Sequence, residues 1–173
     1  MMARDKDDDF SSINDAPVFV EIHDARVDER IEVHMGGAVV MPFAHLATYH
    51  QIGPERYAVV SRKATLLLSQ CHEIRVVGIL TEQDTIVEGH VFDSDNELDL
   101  VDCLGGHAVS AIFFIFGSGA KIALLPKYAQ LVLSDPQRRL GDWIGPLVST
   151  QNGLGRPAGE EPTRPGHLGP CTH

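Results

Sequence analysis

Ser110 is the residue whose setting first suggests chemistry. It follows two small residues at alternate positions, Gly106 and Ala108, and precedes the apolar run from Ala111 to Phe116. A serine that opens a helix has free backbone N–H groups beside it and feels the positive end of the helix dipole. Both stabilise an oxyanion, and small neighbours let a substrate backbone approach closely. The same geometry also describes a helix N-cap that does no chemistry. A serine nucleophile needs a base. His107, three residues before it, and His90, further upstream, are the candidates.

Other reactive side chains form weaker patterns. Asp93, Asp95, Glu97, Asp99 and Asp102 open like a calcium loop, but the sixth place lacks glycine and Leu104 holds the twelfth. The run reads as a solvated loop. His45 and His50 are five apart, off the spacing that sets two ligands on one helix face. In Cys71-His72-Glu73 adjacent side chains point different ways. Neither a metal nor a cofactor is therefore expected. The three cysteines, Cys71, Cys103 and Cys171, are an odd number without CxxC spacing, and read as reduced thiols of a cytoplasmic protein.

These residues sit in a chain of ordinary globular composition, 43% hydrophobic and 22% charged. The net charge of −10 repels phosphate backbones and argues against a nucleic-acid partner. No apolar run approaches the ~20 residues a membrane helix needs, and the start MMARDKDDDF lacks the apolar stretch of a secretory signal. Residues 1–16 read as an acidic flexible tail and 149–173 as a Gly/Pro-rich one, leaving 17–148 as a single folding unit.

Within that unit, 18–22 and 30–34 read as short strands, with Gly36, Gly37 and Pro42 punctuating the stretch after them. Pro54 suits the first position of a helix, and Tyr57, Val60, Ala64, Leu67, Leu68 and Cys71 make an apolar stripe at spacings of three and four. Residues 74–80 suit a strand buried on both faces. Residues 85–92 favour a strand by propensity, yet Ile86, Val87, His90 and Val91 could share a helix face. Residues 98–104, 121–125 and 130–133 read as strands, 137–143 as a short closing helix, and 108–116 as buried in either state. Alternating helix and strand predicts an α/β fold with a largely parallel sheet.

The stretch 106–136, GHAVSAIFFIFGSGAKIALLPKYAQLVLSDP, resembles the Clp protease/crotonase superfamily, in particular its serine-peptidase members. Gly106, Ala108 and Ser110 match G-x-A-x-S, in which the serine heads a buried helix, here 111–116. Residues 117–119 match the small-residue break, Leu125-Pro126 the turn, and 131–136 the following strand and loop. Upstream, 74–80 matches the strand before the glycine-rich loop, 85–92 the helix after it, and 98–104 the lead into the nucleophile. The resemblance implies stacked ββα units and hydrolysis of a peptide or protein substrate through a Ser110 acyl-enzyme. Ala111 and Gln83 would supply the oxyanion amides. It also implies a homo-oligomer or hetero-oligomer.

The chain departs from that pattern where the base should be. Leu133 or Ser134, before Asp135-Pro136, stands in the histidine's place. Gln83 and Asp84 replace the glycine pair of the oxyanion loop, and Lys121 and Lys127 lie too near Ser110 for a Ser-Lys dyad. A catalytically degenerate peptidase is thus one expectation. A non-catalytic binding or regulatory subunit of that fold is another. A third is an acidic interaction or inhibitor domain steered by charge to a basic partner.

Overall fold

The computed structural model describes residues 13, 16–28 and 30–147; the expected tails at 1–16 and 149–173 lie almost wholly outside them. The described chain is antiparallel β-sheet rather than α/β with a parallel sheet. Eleven strands run in order: β1 Phe19–Val27, β2 Glu32–Val33, β3 Val39–Gly53, β4 Arg56–Ser69, β5 Ile74–Val77, β6 Ile86–Asp93, β7 Asn96–Leu98, β8 His107–Ala108, β9 Ala111–Phe116, β10 Lys121–Leu124 and β11 Tyr128–Ile144. The helical structure among the described residues is one 3-10 turn, Leu100–Cys103. Stacked ββα units are therefore absent from this region.

The reason is a two-residue period that outweighs the looser three-and-four spacing. Along β4 the buried apolar residues are Ala58, Val60, Ala64, Leu66 and Leu68, all at even positions, while Leu67 is 37% exposed; Ser61, also buried, is the one odd-numbered exception. Alternation of that kind places one face on a core and turns the other outward, as a strand does and a helix cannot. Val59, Val60 and Thr65 add β-branched stiffness. The expected helix from Pro54 is thus a strand, and Pro54-Glu55 is the tight turn joining it to β3, with Glu55 at φ +47°. The same period governs β9, where Ile112, Phe114 and Phe116 face inward. It also settles 85–92, which forms β6, and the expected helix at 137–143 lies within β11.

One sheet runs β1-β3-β4-β11-β8, with β2 paired to the end of β3; the other runs β5-β10-β9-β6-β7. Their inner faces share one core, in which Met41, Phe43, Leu46 and Leu66 of the first sheet join Ile112, Phe114, Phe116 and Leu124 of the second. A bridge from Arg26 in β1 to Thr85, just before β6, ties the sheets together at one flank, and Leu104, after the 3-10 turn, bridges to Leu131 in β11. A smaller cluster of Phe19, Ala47 and Tyr49, flanked by Tyr57, Val59 and Trp143, lies on the first sheet. Ala47, Tyr49, Tyr57 and Val59 alternate along β3 and β4 with main-core positions, so this cluster occupies the outer face.

The outer edges differ in character. β5, expected to be buried on both faces, is an edge strand with Val76 and Val77 more than half exposed and Ile79 just beyond them. β11 pairs with β8 only at Tyr128 and Ala129; its remaining length carries Pro136 and three breaks in register against β4.

Phe114 fills the centre of the main core with no exposed surface. Phe114→Ala should lower the unfolding free energy by about 3–5 kcal/mol, whereas Val76→Ala on the exposed edge should change it by less than ~0.5 kcal/mol. Urea titrations of the two variants check this.

Candidate functional site

Ser110 lies at a bend just before β9, not at a helix start, so neither a helix dipole nor free helical amides adjoin it. Its hydroxyl donates to the Phe92 carbonyl at 3.2 Å and accepts the Ser94 N–H at 2.9 Å. Its own N–H bonds the same carbonyl at 2.8 Å. The side chain therefore clamps the β6–β7 turn, where Ser94 sits at φ +53°. Gly106 serves packing: at φ +102°, a Cβ there would overlap the Tyr128 side chain. The G-x-A-x-S spacing marks a turn and a clamp.

The expected partners of Ser110 are held elsewhere. His107 lies in β8 and bonds the Ala108 carbonyl through Nδ1 at 2.6 Å. His90, in β6, is gripped between Glu97 on Nδ1 at 2.5 Å and Glu88 on Nε2 at 2.8 Å. Of the expected oxyanion donors, Ala111 pairs with Phe92 in the β6–β9 ladder, and Gln83 sits at φ +57° in the turn before β6. Beside it, Asp84 is buried and accepts from the Ser118 hydroxyl and from backbone N–H groups of Thr81, Thr85 and Ser118. Burial raises its pKa, but those hydrogen bonds outweigh burial and hold the carboxyl below its ordinary range. It is a structural clamp between two turns. Among the described residues no His, Cys, Asp and Glu group is arranged to hold a metal ion.

A different serine and histidine do meet. The ladder breaks in β1 between Glu21 and Arg26, in β3 between Phe43 and Leu46, and in β11 between Leu133 and Gly141. Extra residues in one strand kink it and re-aim side chains. In β3 the bulge keeps both Phe43 and Leu46 in the core and leaves His45 on the outer face. There Nδ1 of His45 lies 2.6 Å from Oγ of Ser61, which β4 places opposite Ala47. Burial chiefly, and the Arg26 charge next, lower the His45 pKa, against an upward pull from Asp24. The ring is thus neutral at pH 7, and one of its nitrogens accepts a proton.

The bulges open a cleft of about 340 Å³ lined by Glu21, Asp24, His45, Tyr49 and Trp143 among others. A second cavity of about 590 Å³ shares Asp24, His45 and Leu140 with it and adds Arg26, Ser61 and Arg138. Tyr49 donates to the buried Glu21 carboxylate at 2.7 Å. Asp142 at the cleft wall is held ionised chiefly by its bond from Arg139, with Arg56 adding to it, so its pKa is lowered despite some burial. The Trp143 indole N–H is buried with no hydrogen-bond acceptor among the described residues.

Sequence spacing did not single out Ser61, Glu21, Asp24 or Trp143. The five-residue spacing of His45 and His50 misses helical ligand geometry, but a bulged strand does not obey that spacing. The signal that could have found the site is the strict alternation of β4, which puts Ser61 on the face opposite Val60. Comparison with protein families, curated proteins and solved structures finds no match to the chain. No helix among the described residues is long and apolar enough to cross a membrane.

The glutamates around His90 give a pH-dependent contribution to stability. Burial pulls its pKa down, but hydrogen bonds and charges from Glu88 and Glu97 outweigh this and raise it above 6.5. A raised folded pKa means the stabilisation is fully present below about pH 6.5 and is lost as pH climbs through the folded value. His90→Gln should flatten that segment of the stability profile, measured as the urea midpoint between about pH 5.5 and 8.

Proposed function

We propose that this chain is a binding module for a small, partly apolar molecule bearing hydrogen-bonding groups. Its site is the bulge-lined cleft on the outer face of the first sheet. The observation that carries this is the presence of register breaks in three successive strand pairings, β1–β3, β3–β4 and β4–β11, together with Glu21, Asp24, His45, Tyr49 and Trp143 around one cavity. Small-ligand sites are concave, largely preformed and of roughly 300–1,000 Å³, with aromatic walls and a few fixed polar groups. Tyr49 and Trp143 supply the wall, and Asp24 and His45 the polar edge. A carbonyl oxygen in the cleft would accept from the Trp143 indole, an otherwise open buried donor.

A basic protein partner is a second reading. It is favoured by the acidic run of Asp93, Asp95, Asp99 and Asp102 in a chain with net charge −10. Such an association should weaken steeply with salt.

Trp143 is the chain's one tryptophan, so its signals report on the cleft directly. Titration with small aromatic esters and amides should shift its indole N–H resonance and its emission saturably. His45→Ala should weaken that binding about tenfold, roughly 1.4 kcal/mol. Shifts confined to residues of the second sheet would overturn the assignment.

A further inference from the structure

We propose that Ser61 and His45 form a nucleophile–base pair that transfers an acyl group from a carboxylic ester bound in the cleft. This rests on the cleft being a ligand site and names the substrate class. Four features converge there. The Ser61 hydroxyl is within hydrogen-bond reach of a ring nitrogen at 2.6 Å, the contact an activated serine requires. Both side chains line the 590 Å³ cavity, so a bound molecule reaches both. Arg26 and Arg138 line the same cavity and bring positive charge to a carbonyl oxygen held in it. The imidazole is kept neutral by burial and by Arg26, which leaves it free to accept the serine proton.

The pair is also held without help from either ligand or helix. Ser61 is fixed by ladder bonds to β3 and β11, on both sides of the central strand β4. His45 is aimed by the bulge, which the core enforces by burying Phe43 and Leu46. A site on rigid strands keeps its geometry better than one on loops.

The chemistry balances with water as the sole co-reactant. Ser61 Oγ attacks the ester carbonyl carbon while its proton passes to Nδ1 of His45. The bond from that carbon to the leaving alcohol oxygen breaks, and the oxygen takes the proton from His45. Water then attacks the acyl-Ser61 ester, with His45 accepting its proton and returning it to Oγ. Ester plus water becomes carboxylic acid plus alcohol, and no electron changes hands.

The test uses the full chain with a fluorophosphonate probe and with 4-nitrophenyl esters of short acids. The expected result is a covalent adduct on Ser61 by peptide mass spectrometry and ester turnover that rises with pH through a pKa below about 6.5. Ser61→Ala and His45→Ala should lower labelling and turnover by about a hundredfold or more. Ser110→Ala, which alters only the β6–β7 clamp, should label like the parent chain. Ser61→Cys keeps a nucleophile of similar size and should be alkylated by iodoacetamide faster than Cys71, covering the case in which the alanine variants do not fold. Absence of an adduct on Ser61 in the folded protein, or labelling unchanged in Ser61→Ala, overturns acyl transfer. If the Trp143 resonance still shifts with the esters in that event, the binding site stands and only the chemistry falls; if it does not, both fall.

Discussion

The structure depends on burying one apolar face of each sheet against the other in strict two-residue alternation. In β4 the buried apolar residues from Ala58 to Leu68 all have even numbers, and the series is interrupted only at the half-buried Arg62. A slip of one residue would turn Val60, Leu66 and Leu68 to water together and Leu67 inward. The long strands β3, β4 and β11 therefore have no freedom to adjust register gradually. They accommodate extra residues only as bulges, where the chain steps once and resumes its alternation. The cleft lies among those strands.

Ser110 and Ser61 show how differently the same side chain is used in one protein. Ser110 commits both its donor and its acceptor capacity to the backbone of the β6–β7 turn. Its neighbours His107 and Gly106 are likewise engaged, one with a backbone carbonyl and the other with the space beneath Tyr128. Ser61 meets an imidazole instead, on a face that also carries carboxylates and two aromatic rings. The buried thiol at Cys103 is raised to about 11 by burial, with Asp102 adding to it, so it stays protonated and inert near neutral pH.

Some of this was legible in the sequence and some was not. Composition indicated a globular unit, and the strands at 121–125 and 130–133 were readable from β-branched runs between turn residues; they fall within or across β10 and β11. The expected helices at 54–71 and 111–116, like those at 85–92 and 137–143, failed because a few apolar residues at mixed spacings satisfy both periods. Only partners on each side of the strand decide between them, and β4 has β3 and β11. The stretch 106–136 matched a peptidase pattern in order and residue type, yet its strand-turn-strand course needs only the same small and apolar residues. The 39–53 strand was hidden because Gly36, Gly37 and Pro42 signal interruption, whereas Pro42 is accommodated within β3 opposite Thr65. The Ser61–His45 contact arises from a bulge, a step in pairing that leaves no local mark in composition.

The two kinds of sheet flank set a limit on growth. A foreign strand laid along β11 meets Pro136, which offers no amide, and a backbone that changes direction at each step. β7 and β8 present three and two residues, too short a template to recruit much, and β1 is partly engaged by Thr85. Among the described strands, β5 alone offers a mostly exposed apolar border. A particle with one adhesive side can join one neighbour and then has none left to offer, so crowding this protein should yield pairs and not fibres.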